Sequence, residues 1–211
     1  SKILANTTWE NEKSHAEFVT SKIENAFAEN NLSVQDVDYF CVNHGPGSFT
    51  GIRIAINTIK SLAYVVAKPI FTASSLEIIA HSCSFETEKL LVAVNAHSNL
   101  CYFAEFQANT QSQTWKLFSE ISVKPFEEVV KKLSQSNTAF VGDAFDYYKD
   151  MLPENSKIVR PKKYSDIPLA EELLKMALKN INNKNCFKNW QSLEPFYIRD
   201  SAPEEKLKNR T

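Results

Sequence analysis

Three of the four glycines in this 211-residue chain fall in one stretch, Asn43-His44-Gly45-Pro46-Gly47-Ser48-Phe49-Thr50-Gly51-Ile52-Arg53. Glycine allows positive φ and close backbone approach, and Pro46 fixes one φ between two glycines. Ser48 or Thr50 can cap a helix that starts here, which turns the amide N–H groups of its first turn outward. The chemistry on offer is anion binding. The same residues also make a tight strand-to-helix connection, and spacing alone favours that reading. Arg53, one turn into the helix, could hold an anion or a partner carboxylate, or form an ordinary surface ion pair.

Specific nucleotide motifs do not fit. A P-loop needs Gly-Lys-Ser/Thr, whereas Gly51 is followed by Ile52 and Arg53. A dinucleotide fingerprint needs G-x-G-x-x-G, and Gly45, Gly47 and Gly51 are one residue too widely spaced. Ser48 does not sit in a G-x-S-x-G elbow, so a nucleophilic role is not indicated. The histidines, His15, His44, His81 and His97, form no HxxxH or HExxH pair and suggest no metal site. Cys41, Cys83, Cys101 and Cys186 form no CxxC pair and read as reduced thiols, with Cys41 and Cys101 in apolar runs. Asp143, after Gly142, reads as a turn residue.

Composition bounds the class. Hydrophobic residues make up 43% and charged residues 23%, as for a packed soluble core. With 24 basic and 25 acidic residues, the net charge of -1 provides no global field for nucleic acid, which leaves room only for a local basic patch. No apolar run approaches the roughly 18 residues of a membrane span, and no signal-peptide pattern opens the chain. These features lead us to expect a cytoplasmic protein with no membrane contact. The chain starts Ser1-Lys2 without methionine, as a processed chain or a fragment would.

The elements that must position the loop follow from periodicity. Residues 2–9 read as a short strand, and Ser14 with Glu17 as the capping box of a helix bearing Phe18, Val19, Ile23, Ala26 and Phe27 on one face. Residues 33–36 read as a second cap or short turn. Residues 39–43 form a strand. Residues 52–66 form a helix apolar almost all round, which must be buried on most faces. Lys68-Pro69 ends it, 70–73 is a strand, and Ser74 or Ser75 caps a short helix over 76–81. Strand, helix and strand in this order imply a parallel crossover. Residues 90–94 and 101–106 form a hairpin, with one further strand over 115–123. Pro125 opens a helix over 126–133, strands follow at 138–141 and 158–159, and Pro168 starts a helix to about 181. Residues 180–189 read as a polar linker, 195–198 as a last strand or extended segment, and 202–211 as a charged mobile tail.

Gly45-Pro46-Gly47-Ser48-Phe49-Thr50-Gly51-Ile52-Arg53 resembles the G-P-G-S-F-T-G-[LIV]-R signature of the bacterial TsaB (YeaZ) family. Further segments are similar to that family in the same order. Ser14-His15-Ala16-Glu17 resembles its H-S-E, Ser74-Ser75-Leu76-Glu77 its S-S-L-E, residues 94–102 its D-A-R hairpin, and Glu194-Pro195-Phe196-Tyr197-Ile198-Arg199 its E-P-x-Y-[LI]-R. The resemblance implies a two-lobed α/β fold of the actin, Hsp70 and sugar-kinase (ASKHA) type. It also implies a non-catalytic subunit that binds and activates a TsaD-like threonylcarbamoyltransferase, with a TsaE-like ATPase, in making threonylcarbamoyladenosine beside the tRNA anticodon. The implied partners are TsaD as heterodimer, a second copy when TsaD is absent, and tRNA only through the complex. No metal and no cofactor is expected on this chain alone; a nucleotide is expected, if at all, at the complex interface.

The pattern departs from the family in two places. Only about fourteen residues precede His15, so the N-terminal lobe is expected to lack about two strands. Asn95 and His97 replace the Asp and Arg of the hairpin motif. The expected division is 1–88 for the first lobe, 89–190 for the second, and 191–211 returning to the first. The signature residues Gly45, Pro46, Gly47, Ser48, Phe49, Thr50, Gly51 and Arg53 form the central joint. His15, Phe18, Ile52, Ile56, Ile59 and Ala63, on the two long helices, are the expected partner contacts. The alternatives are a peptidase-like hydrolase, which needs metal ligands or an activated nucleophile, and an ATP-binding kinase relative, which needs phosphate loops.

Overall fold

Helix α1 (His15–Glu29) precedes a strand, a helix and a strand: β1 (Phe40–Asn43), α2 (Phe49–Val66) and β2 (Ile70–Ala73). The computed structural model describes residues 2–8, 15–133, 137–154, 156 and 158–198, without the side chains of 15–17. β1 and β2 pair in parallel, Phe40 against Ile70 and Asn43 against Ala73, so the expected crossover is present. α2 starts earlier than periodicity suggests, because Ser48 caps it by accepting from Gly51 N, and Thr50 lies inside the first turn. It ends where Ala67 enters the left-handed region (φ 52°) and its N–H reaches back to Ala63 O. A short β8 (Phe187–Lys188) pairs antiparallel with β2, giving a three-stranded sheet in the order β1-β2-β8.

The second sheet follows helix α3 (Ser75–Ser82) and has five strands: β3 (Lys89–Asn95), β4 (Leu100–Asn109), β5 (Thr114–Leu117), β6 (Ser122–Pro125) and β7 (Thr138–Val141). β3 and β4 form the expected hairpin, and β7 pairs in parallel with β3. Both faces of this sheet are buried. Leu90, Val92, Ala104, Phe106, Ala139 and Val141 pack with Leu76, Ile79 and Ala80 of α3. Leu91, Ala93, Cys101, Phe103 and Phe140 point to the other face. They meet Phe126 and Val129 of α4 (Phe126–Val130), and Ala144 and Phe145 of α5 (Ala144–Tyr147). Burial on both faces explains why β3 reads as a continuous apolar run rather than an alternation.

The chain forms two compact units. The first takes Ser1–His44, Ser48–Ala73 and Leu173–Pro195; the second takes Gly45–Gly47, Ser74–Glu172 and Phe196–Thr211. The boundary expected after residue 88 falls at 73–74, since α3 contributes to the core of the second sheet. The return to the first unit starts at 173 rather than 191, within α6 (Ala170–Lys179), and includes β8.

Several local expectations fail for identifiable reasons. Residues 2–8 form no strand and are exposed, because β-forming residues need a ladder partner to become a strand. The strand expected over 115–123 is broken into β5 and β6, which pair with successive parts of β4. Residues 118–121 face only Ala104 and Glu105 there, so the segment bulges; Phe118 N and Ser119 N both donate to Glu105 O. Residues 158–159 are not a strand, although Phe140 N donates to Val159 O at 2.8 Å. α4 stops at Val130 and α6 spans only 170–179. The supposed linker over 180–189 folds instead as a 3-10 turn and β8, because β2 offers it an open ladder. Residues 195–198 are not a strand. The Ser14 cap, Trp9, Arg199 and the 202–211 tail lie outside the described residues.

Candidate functional site

The glycine stretch is built in two parts. In the first unit β1 delivers the chain to His44, whose N–H continues the ladder by donating to Ala73 O at 3.3 Å. Beyond the glycines, Ser48 Oγ accepts from Gly51 N at 3.3 Å and Ile52 N donates to Ser48 O at 2.9 Å. Ser48 and Thr50 are exposed at this helix start. The Arg53 guanidinium stacks over the Phe49 ring, 3.9 Å from its centroid, which fixes a cation over the first turn of α2.

In the second unit Gly45 and Pro46 are buried, and their peptide bond is cis. Gly45 uses the positive φ (110°) that only glycine takes without strain, whereas Gly47 and Gly51 do not. Ser75 clamps the turn. Its N–H donates to Gly45 O at 2.9 Å and its Oγ donates to Pro46 O at 2.7 Å. Ser74 caps α3 in a reciprocal box, accepting from Glu77 N while its own N–H and hydroxyl donate to the Glu77 carboxylate. Two carbonyls of the loop are thus spent on internal hydrogen bonds. The arrangement has the character of a joint.

The expected partner contacts separate into inner and outer residues. Ile52, Ile56 and Ala63 are buried in the first unit's own core with Phe40, Val42, Ile70 and Leu193, so they are not surface contacts. The reason is periodicity: these positions share the stripe of α2 that faces β1. Ile59 is half-buried beside them. Phe18 of α1 stays 41% exposed, and no residue over 18–29 is buried. His15 is one of the residues whose side chain is not described. The outer face of α2 leaves Tyr64 and Val65 64% and 68% exposed. The helix read as apolar all round thus keeps part of its apolar surface in solvent.

Sequence reasoning missed a polar centre in the second unit. Asp143 caps more than a turn, because its Oδ1 accepts from Asn95 N at 2.7 Å. Asn95 Oδ1 accepts in turn from Tyr148 OH and from His97 N. Burial raises the Asp143 carboxyl above the ordinary carboxylate range, against the Asn95 hydrogen bond, and the Asp166 charge raises it further. Asp166 itself receives Gly142 N and the Arg160 guanidinium, both at 2.6 Å. The sequence signals were Gly142-Asp143 at a strand end and Asn95 in the hairpin motif, but nothing in the sequence joins these positions to one another or to Asp166.

No group of three or more His, Cys, Asp or Glu side chains among the described residues is placed to hold a metal ion. His81 Nδ1 is 2.8 Å from Glu172 Oε2, and His97 packs edge-on against Tyr147. Burial pushes the Cys41 thiol up to about 11, and the Cys83 and Cys101 thiols up to about 12, so none of the three is an activated nucleophile.

The family model for TsaD, tRNA N6-adenosine threonylcarbamoyltransferase, matches residues 2–207. The chain belongs to this family. Within it the similarity runs to TsaB (YeaZ). The tRNA threonylcarbamoyladenosine biosynthesis protein TsaB of Buchnera aphidicola (subsp. Schizaphis graminum) is 31% identical over 164 residues, covering 74% of this chain and 77% of the relative. TsaB of Haemophilus influenzae is 26% identical over 211 residues, covering 94% and 86%. The solved structure of YeaZ from Pseudomonas aeruginosa superposes with a TM-score of 0.70 at 23% identity, over 88% of this chain and 84% of that one. The fold is therefore the α/β fold of the actin, Hsp70 and sugar-kinase superfamily. No helix among the described residues is long and apolar enough to cross a membrane.

Proposed function

We propose that this chain is a non-catalytic subunit that docks on a TsaD-like threonylcarbamoyltransferase and activates it for forming threonylcarbamoyladenosine beside the tRNA anticodon. The observation that carries the reading is the apolar surface left on the two long helices of the first unit: Phe18 on α1, and Tyr64 and Val65 on α2. α1 packs against α2, so these exposed side chains belong to adjoining helices. An apolar face of this kind favours a protein partner. The outer residues replace Ile52, Ile56 and Ala63 as the proposed contacts, because those three already have a core to fill.

On this reading the transfer chemistry belongs to the partner, a TsaE-like ATPase joins the assembly in the cytoplasm, and a second copy of this chain covers the same helices when the partner is missing. A nucleotide binds only where the assembled interface completes a site, and tRNA is engaged by the complex. The test is sedimentation of the full chain mixed with the transferase of the same organism. One species at the summed mass is expected, and two persistent separate species overturn the reading. Val65→Asp, at a solvent-facing position, is expected to weaken association about tenfold or more by placing a charge in a desolvated contact, with thermal stability nearly unchanged.

A further inference from the structure

The first unit contains a cavity of about 810 Å³ on the side of β8, apart from the glycine loop. Three aromatic residues, Tyr39, Phe187 and Trp190, line it together with three lysines, Lys68, Lys184 and Lys188. No carboxylate is among its described lining residues. The segment that forms its rim was read from sequence as a polar linker. It is folded: Asn183 Oδ1 accepts from Asn185 N, and Phe187 and Lys188 pair with Phe71 and Ile70 of β2.

The rings are held by neighbours. Phe187 lies 5.0 Å from Tyr39 (centroid to centroid) and 5.7 Å from Phe71, and the Trp190 ring meets Tyr64 edge-on at 5.0 Å. Tyr39 remains 40% exposed. Charge is locally one-sided although the whole chain is near neutral. From residue 173 to residue 193 the sequence has four lysines and no Asp or Glu. Among the described residues, Lys184 and Lys188 have no carboxylate within ion-pair distance. Lys68 lies 3.5 Å from Asp38, whose side chain is 82% exposed, and a screened surface pair of this kind competes weakly with a bound anion.

We propose that this groove binds a short stretch of single-stranded nucleic acid, with bases stacked on the aromatic rings and phosphates on the lysines. Stacking uses the face of a base, so it needs unpaired nucleotides and tolerates any sequence. The volume lies in the range of small-molecule sites, roughly 300–1,000 Å³, which suits one or two nucleotides of a strand rather than a duplex. An acidic peptide would use the lysines but leave the rings unused. The proposal goes beyond the function above, where RNA is met by the assembled complex. It is tested without the transferase, so either reading can fail alone.

The experiment is anisotropy of a labelled, mixed-sequence short oligoribonucleotide titrated with the full chain at low salt. Saturable binding is expected, weakening with salt at a log–log slope of about -2 for three lysine contacts to a single strand. The double variant Lys184→Glu with Lys188→Glu is expected to lose about tenfold in affinity or more and to flatten that slope, with an unchanged circular dichroism spectrum. Tryptophan emission is expected to be quenched on binding, and Trp190→Phe is expected to keep the binding while losing the quench. Absence of saturable binding, or equal binding by the charge-reversed variant, overturns the proposal. So does equal affinity for an abasic oligomer or a duplex, or displacement of the strand by ATP or an acidic peptide at comparable concentration.

Discussion

The two compact units solve the same packing problem to different degrees. In the second, one sheet is covered on both faces, with a separate buried cluster on each. In the first, a single cluster is bordered by half-buried Ile59, Leu62 and Val66, and the helices above it keep apolar side chains in solvent. Apolar area left in water on a well-formed helix is stabilisation not yet gained. The second unit therefore reads as a finished core and the first as one arranged for cover. The polar features follow the same division. The second unit holds two half-buried groups, Asn95 with Asp143 and Tyr148, and Arg160 with Asp166, whereas the first displays its polar groups at an exposed helix start and along a lysine-rich groove.

The strongest test of that contrast is Gly142→Ala. Its φ is +110° and an added Cβ would lie 2.0 Å from the backbone oxygen of Ala93, so β3 and β7 would have to separate. A loss of about 3 kcal/mol or more is expected, read as a lowered denaturant midpoint of the second unit. A mild effect would mean that the second core is looser than its burial implies. Next comes a pair on one helix. Ile56→Ala, at a position 2% exposed, should cost about 3 kcal/mol, and Ile59→Ala about 1 kcal/mol in the free chain. Adding the partner should deepen the cost at Ile59 if its exposed part becomes covered, and equal costs in the free chain would mean that half-buried Ile59 is held as firmly as buried Ile56.

Asp143→Ala removes the acceptor of Asn95 N and should cost about 1–2 kcal/mol. Asp143→Asn keeps an acceptor and discards the desolvated charge. Burial raises the folded carboxyl above its unfolded value, so the stability tied to the protonated form is full below the unfolded pKa, near 3.9, and is lost as pH rises through the folded one. The Asn variant is therefore expected to be the more stable protein at neutral pH, with the gap closing in acid. Urea titrations at both pH values read this directly, and a gap that widens in acid contradicts it. The smallest effect belongs to the signature loop. A Cβ at Gly51 meets only Ser48, at 3.4 Å, inside a helix, so Gly51→Ala should raise the stability of the free chain by about 0.5–1 kcal/mol. If the same change weakens binding of the transferase, this glycine serves the assembly rather than the fold.

How much of this was legible in the sequence depended on the range of the cause. The glycine stretch announced β1, α2 and β2 because its signals are local: a capping serine, a proline, and apolar runs of the right length. Ser74 with Glu77 announced α3 in the same way. The hairpin of β3 and β4 was readable from apolar runs around a polar turn. The break between β5 and β6 was not, because it depends on how β4 faces the segment. β8 was hidden because two residues in an Asn- and Lys-rich run become a strand only when β2 offers them a ladder.

The sequence by itself determined the elements from α1 to β4, the joint at residues 43–53 and the family, since each rests on residue types at short, fixed spacing. Tertiary structure alone decided which side of α2 is spent on its own core. It turned Asp143 from a turn residue into the centre of a polar set, by bringing Asn95 and Asp166 to it from distant positions. It also gathered Tyr39, Lys68 and Trp190 around one cavity. The physical reason is common to all three. Hydrogen-bond propensity and periodicity act between neighbours in the chain, whereas burial and charge act between neighbours in space.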